Sequence, residues 1–199
     1  MNEMRNPFPA RVATGLRMLM YIAITSLLNS FISYFPFIPG DVTTWISRGI
    51  MLAVMLCMFR LSLVNDRYRT AGILRAAMLG CNLITAFLFG SMALTLAASI
   101  FSIIAVYQEY AAHAELVADL DRKLAGQWRS LFIWSILAAA LLTLGTSIVA
   151  MIFVLTDWES GAARISYLVT ALLRIPQSII EIMYILYLRK MADIFSNYA

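Results

Sequence analysis

The sequence has little charge. Only 13% of its 199 residues are Asp, Glu, Lys or Arg, and 62% are hydrophobic, with a mean hydropathy of +0.82. Soluble domains carry about 25% charged and about 45–50% apolar residues. This composition excludes an ordinary soluble domain and predicts an integral membrane protein whose main partner is the lipid bilayer.

Residues for metal binding and catalysis are also scarce. His113 is the only histidine, and together with Glu109 it offers two ligands where zinc needs three or four. Cys57 and Cys81 fall within predicted helices, where a thiol packs as a small hydrophobe. The chain has no HExxH, Walker or glycine-rich nucleotide motif, and no lysine lies within an apolar run. We therefore predict no metal, no cofactor and no catalytic residue.

The net charge of +4 comes from fifteen Lys and Arg residues that form no single patch, which argues against a nucleic-acid partner. Twelve of them form four clusters: Arg5, Arg11 and Arg17; Arg60, Arg67, Arg69 and Arg75; Arg122, Lys123 and Arg129; Arg189 and Lys190. The positive-inside rule places these clusters in the cytosol with two membrane crossings between neighbouring clusters. We therefore expect a protein of the bacterial cytoplasmic membrane with both termini in the cytosol.

The predicted fold is an all-α bundle of six transmembrane helices in a single domain, residues 1–199. The approximate helices are 14–35, 42–64, 71–89, 92–113, 130–155 and 163–188, and the fourth continues as a cytoplasmic extension to about residue 126. External turns are expected at Pro36–Asp41, at Gly90 and Ser91, and at Thr156–Gly161. Pro7 and Pro9 interrupt the start and no small-residue cleavage site follows, so the first segment is expected to be retained as a helix.

Residues 71–110 form an almost unbroken apolar run that could be one helix or two. One helix would be about 60 Å long, roughly twice the thickness of the hydrocarbon core. It would also place the later basic clusters outside the cell, whereas a break at Gly90 places every cluster inside. The charge pattern therefore favours two helices.

A polar stripe on the last helix predicts a ligand or ion site. Its members fall within about 100° of the helix circumference: Tyr167, Thr170, Arg174, Gln177, Ser178 and Glu181. An ionised side chain near the bilayer centre costs at least about 2.5–3.5 kcal/mol, so Arg174 and Glu181 should face the bundle interior and find partners. A structural ion pair is the alternative. Asn29, on the polar face of the first helix, and Arg48, about two turns into the second, are the other expected members of the site.

Acidic residues on the cytoplasmic helix 107–129 predict a second surface. These residues, with the single histidine, are Glu109, His113, Glu115, Asp119 and Asp121. The pattern is typical of a solvated or salt-bridged face opposite Arg67 and Arg69, and such a face could dock a partner protein. A proton relay or metal site at His113 is the least favoured interpretation.

Two stretches, 59–68 and 107–115, the second with its continuation at 119–128, resemble small uncharacterised multi-pass membrane proteins of bacteria, which implies no particular activity. In size and number of crossings the chain is also similar to the substrate-binding components of energy-coupling-factor vitamin importers. That likeness concerns the fold and matches no binding motif.

Three functions remain open at this point. The first is a small-solute carrier subunit or channel that uses the site on the last helix to bind a small molecule or ion. The second is an accessory or immunity-type membrane protein that docks a membrane or cytosolic protein, or a second copy of itself, through helix 107–129. The third is an intramembrane lipid enzyme with Glu181 as general base.

Overall fold

The computed structural model describes residues 7–33, 39–87, 91–156 and 162–198. In this part of the chain every regular element is an α-helix, and there are six: α1 (Pro7–Ile32), α2 (Gly40–Leu61), α3 (Asp66–Phe87), α4 (Met92–Val117), α5 (Arg122–Thr156) and α6 (Ala162–Asn197). The six-helix prediction is confirmed. Most of the residues in the three expected external turns lie outside the described ranges.

Residues 71–110 are divided between α3 and α4, which pack side by side. At the start of α4, the Ser91 hydroxyl accepts a hydrogen bond from the Leu94 backbone N–H at 3.5 Å. A serine in this position satisfies one of the N–H groups that have no partner in the first turn of a helix.

The cytoplasmic extension to residue 126 differs from the prediction. α4 ends at Val117 and α5 already begins at Arg122. Asp121 separates the two helices because its Oδ1 accepts a hydrogen bond from the Leu124 backbone N–H at 2.8 Å, which caps the start of α5. α6 also differs, since it continues to Asn197, nine residues past its expected end.

The six helices form a closed ring. Each helix packs against its neighbours in the sequence, and α6 also packs against α1. Ion pairs tie one end of the ring together: Arg67 at the start of α3 meets Glu115 near the end of α4 at 2.7 Å, and Lys190 of α6 meets Asp121 at 2.6 Å. We call this the basic end, because the described members of the charge clusters lie there.

Side-chain packing is concentrated at the basic end. The largest fully buried side chains there include Leu16, Met58, Tyr68, Trp128 and Leu188. Five of the six helices, all except α3, are long and apolar enough to cross a membrane, and only 6–22% of their most apolar stretches is buried inside the chain. Lipid must therefore cover most of the outer surface, and the chain is an integral membrane protein. α3, with 22 residues, is about 33 Å long and packs between α2 and α4.

Candidate functional site

A cavity of about 300 Å³ lies inside the ring, between α1, α2, α3, α4 and α6; we call it the central cavity. The lining residues are Leu19, Ile22, Ala23 and Ser26 from α1; Ser47, Ile50, Met51 and Val54 from α2; Arg75 and Met78 from α3; Val106, Glu109 and Tyr110 from α4; and Gln177, Ile180, Glu181 and Tyr184 from α6. Its walls are thus mainly apolar, with a few polar and ionisable groups. This is the usual make-up of a small-molecule site, and the volume is at the lower end of about 300–1,000 Å³ for such sites.

A buried ion pair forms one wall of the central cavity. Arg75 Nη2 donates to Glu109 Oε2, and the Tyr184 hydroxyl donates to Glu109 Oε1. The Glu109 side chain is 2% exposed and that of Arg75 is 16% exposed. Each charge is therefore compensated by the other, which a buried charge requires.

His113 lies one turn from Glu109, away from the cavity. Its Nδ1 is 2.7 Å from the Tyr68 hydroxyl, its Nε2 is 3.8 Å from Glu109 Oε1, and its ring centroid is 4.4 Å from that of Trp128. His113 is 0% exposed and Glu109 is 2% exposed. The solvated alternative is therefore wrong for these two residues, because both are packed into the core at the basic end. Glu109 is salt-bridged, but its partner is Arg75 and neither Arg67 nor Arg69.

The other acidic residues of that predicted face remain at the surface, but two of them are engaged within the chain. Glu115 pairs with Arg67, and Asp121 pairs with Lys190, while Asp119 is exposed. The hydrogen bond from Lys190 holds the pKa of the Asp121 carboxyl below its usual value. The Arg67–Glu115 pair joins α3 to α4, and the Lys190–Asp121 pair joins the segment between α4 and α5 to α6.

Gln177 and Glu181 both lie in the central cavity, one turn apart on α6. Gln177 Nε2 donates to Glu181 Oε1 at 3.5 Å. Among the residues that the structure describes, no group hydrogen-bonds to Gln177 Oε1 or to Arg75 Nε, although both atoms are buried. An unsatisfied buried polar atom costs about 1–3 kcal/mol, so these two atoms are polar groups of the described cavity wall whose burial is not compensated.

Arg174 lines a second cavity, of about 510 Å³, between α1 and α6. Glu181 lines this second cavity too, together with Ser30 and Ser178. The sequence-based stripe thus spans both cavities, and Glu181 is common to them. The side chain of Tyr167, another member of the stripe, lies outside the described part of the structure.

Asn29 and Arg48 line neither of these two cavities. Asn29 Nδ2 donates to Ser47 Oγ at 2.9 Å and to the Thr43 carbonyl at 3.3 Å, so it links α1 to α2 at the end opposite the basic end. The Arg48 guanidinium lies 4.6 Å from the centre of the Trp45 ring, a cation–π contact. The assignment of Asn29 and Arg48 to the ligand site stays a prediction.

Sequence reasoning missed Arg75 and Tyr184 as members of the site. Arg75 had been grouped with the cytosolic charges, yet it follows Ile73 and Leu74 and precedes two alanines, so the chain around it is apolar. Tyr184 lies three residues after Glu181 and seven after Gln177, a spacing that puts it on the same helical face. Both signals were available in the sequence.

Searches against protein-family models, curated proteins and solved structures find no match.

Proposed function

We propose that this integral membrane protein is a small-solute carrier or the solute-binding subunit of a transport system, and that its solute binds in the central cavity. The observation that supports this function most is the convergence of Arg75, Glu109, Gln177 and Glu181 on a cavity inside a bundle whose outer surface faces lipid. Ionisable groups within a membrane are costly and commonly mark the pathway of a substrate or ion.

Packing alone does not explain this set of residues. The charges of Arg75 and Glu109 neutralise each other, so this pair could be purely structural. Glu181 is a further carboxylate in the same cavity, and it is shared with the second cavity between α1 and α6. A residue that borders both cavities is well placed to pass a solute or proton between them.

The positive-inside rule orients the proposed carrier in the bacterial cytoplasmic membrane with its basic end and both termini in the cytosol. Tyr184 lies five residues before Arg189, or about 7.5 Å along α6, so the central cavity is near the cytosolic side. Arg174 lies ten residues before Tyr184, about 15 Å farther from the basic end. The two cavities would then be successive parts of one path.

The docking hypothesis gains less support from the structure. Of the residues assigned to that surface, Glu109 and His113 are buried, and Glu115 and Asp121 form internal ion pairs. No second function is therefore proposed.

A pair of substitutions tests solute binding without knowledge of the solute. Ala23 lines the central cavity, so Ala23→Phe should place a ring inside it and obstruct it, whereas Ala140 is exposed on α5 and Ala140→Phe adds the same ring facing lipid. We expect at least one member of a panel of small solutes to raise the melting temperature of the wild type and of Ala140→Phe. A solute at 100 times its Kd stabilises by about 2.7 kcal/mol. If no solute distinguishes Ala23→Phe from Ala140→Phe, the proposed function is wrong.

A further inference from the structure

We propose that the solute is a small organic monocation, a protonated amine with an apolar body, whose ammonium group binds between Gln177 and Glu181. This inference rests on the proposed function, since it names the class of solute that the central cavity would take.

The first argument is the charge of the central cavity. Its described lining contains one cation, Arg75, and two carboxylates, Glu109 and Glu181. Arg75 is bound to Glu109, which also accepts a hydrogen bond from Tyr184. Within this lining, Glu181 is the carboxylate that Arg75 does not pair with. Arg174, in the wall of the second cavity, acts on the Glu181 carboxylate electrostatically, and a cation bound in the central cavity would compensate its charge from the other side.

The second argument is the pattern of hydrogen-bonding atoms. Gln177 Oε1 has no partner among the described residues, and it lies one turn from the Glu181 carboxylate in the same cavity. Gln177 Oε1 is an acceptor without a donor, and the Glu181 carboxylate, which accepts one long hydrogen bond from Gln177 Nε2, can accept more. An ammonium group carries three donors and no acceptor, so one such group can satisfy both, with a charge-assisted bond to Glu181.

The third argument is the remaining wall. Leu19, Ile22, Met51 and Val54 form apolar walls from α1 and α2, and Tyr110 and Tyr184 add aromatic rings from α4 and α6. Apolar walls favour an apolar body, and aromatic rings attract cations. A volume of about 300 Å³ limits this body to a small one.

Arg174 provides a test of the charge argument. It lines the second cavity together with Glu181, so its positive charge opposes the binding of a cation at that carboxylate. Removal of the Arg174 charge should therefore strengthen cation binding, while removal of the Glu181 charge should weaken it.

The experiment measures equilibrium binding of three probes to the full chain in lipid nanodiscs at pH 7. The probes are benzylamine, benzyl alcohol and benzoate, which share a ring and differ in charge. We expect benzylamine to bind most tightly, to lose about tenfold in affinity with Glu181→Gln and to gain affinity with Arg174→Gln. Glu115→Gln, which removes an exposed carboxylate at the basic end, should leave binding unchanged. Should Glu181→Gln fail to fold, Gln177→Leu tests the same contact and should also weaken benzylamine binding.

The outcomes separate this inference from the proposed function. If benzoate or benzyl alcohol binds more tightly than benzylamine and the binding is abolished by Ala23→Phe, the cavity binds solutes but the cation assignment is wrong. If benzylamine binds equally well to the wild type, Glu181→Gln and Gln177→Leu, the proposed contacts are wrong. If benzylamine fails to bind up to its solubility limit, the inference is overturned. If, in addition, the solute panel does not distinguish Ala23→Phe from Ala140→Phe, the proposed function fails with it.

Discussion

Substitution of Glu109 by Gln should destabilise the bundle severely although it changes one atom. The amide can still accept the hydrogen bond from Tyr184, but it leaves the largely buried guanidinium of Arg75 without a counter-charge. Removal of one partner of a buried ion pair costs about 3–5 kcal/mol. Because the Arg75 side chain is 16% exposed to the cavity, we expect the lower end of that range, about 3 kcal/mol.

A matched control lies on the same helix. Glu115→Gln removes a carboxylate from the Arg67–Glu115 pair, whose side chains are 36% and 44% exposed. Exposed pairs contribute about 0–1 kcal/mol, so this variant should unfold almost like the wild type. The assay is reversible unfolding of the purified protein in mixed micelles, followed by tryptophan fluorescence, with Trp128 as a buried reporter.

The double variant Arg75→Met with Glu109→Gln separates lost charge from lost shape. Without the guanidinium, no charge is stranded, so the double variant should recover at least half of the stability that Glu109→Gln loses. The reasoning would be refuted if Glu109→Gln cost no more than Glu115→Gln. A double variant that lost the sum of its two single changes would refute it equally.

Three further predictions concern the basic end and the topology. Tyr68→Phe removes the partner of His113 Nδ1 in a buried position, so it should cost about 1–3 kcal/mol in the same unfolding assay, and an unchanged stability would contradict that contact. The pKa of Asp121 in the folded protein lies below the usual carboxyl pKa of 3.8. The pairing of Asp121 with Lys190 therefore stabilises the fold above pH 3.8, and this stabilisation is lost as the pH falls through the lower pKa of the folded state. The melting temperature of the wild type should accordingly fall more steeply below that pH than that of Asp121→Asn, and parallel curves would exclude this contribution. A reporter enzyme fused after Gly90 should be external, and a cytosolic signal there would contradict the orientation.

The helices themselves were predictable because a lipid environment permits few backbone conformations. Backbone polar groups in hydrocarbon must be satisfied within a helix, so apolar runs of sufficient length become helices. Charge clusters then divided residues 71–110 correctly into two helices. The boundary between α4 and α5 was missed because Asp121 lies in a helix-forming stretch, and its capping role depends on a local hydrogen bond.

The candidate site was predictable only where a single helix encodes it. The polar stripe of α6 puts Gln177 and Glu181 on one face by periodicity alone, and both line the central cavity. Glu109 looked like a solvated charge because its partners, Arg75 and Tyr184, lie 34 and 75 residues away. This cluster forms because α3, α4 and α6 face one another in the ring. A single sequence does not show which helices will face one another.

Accessibility of the central cavity from both sides of the membrane tests the account most directly. Ser26 lines the cavity, so Ser26→Cys in a chain with Cys57→Ala and Cys81→Ala carries one reactive thiol there, and Ala140→Cys is the lipid-facing control. The reagent is a small membrane-impermeant cationic methanethiosulfonate, applied to intact cells and to inside-out vesicles. A carrier predicts labelling of Ser26→Cys from both sides and no labelling of Ala140→Cys. Labelling of Ser26→Cys from neither side would contradict the proposed function, and labelling from one side only would contradict a carrier and leave the solute-binding subunit.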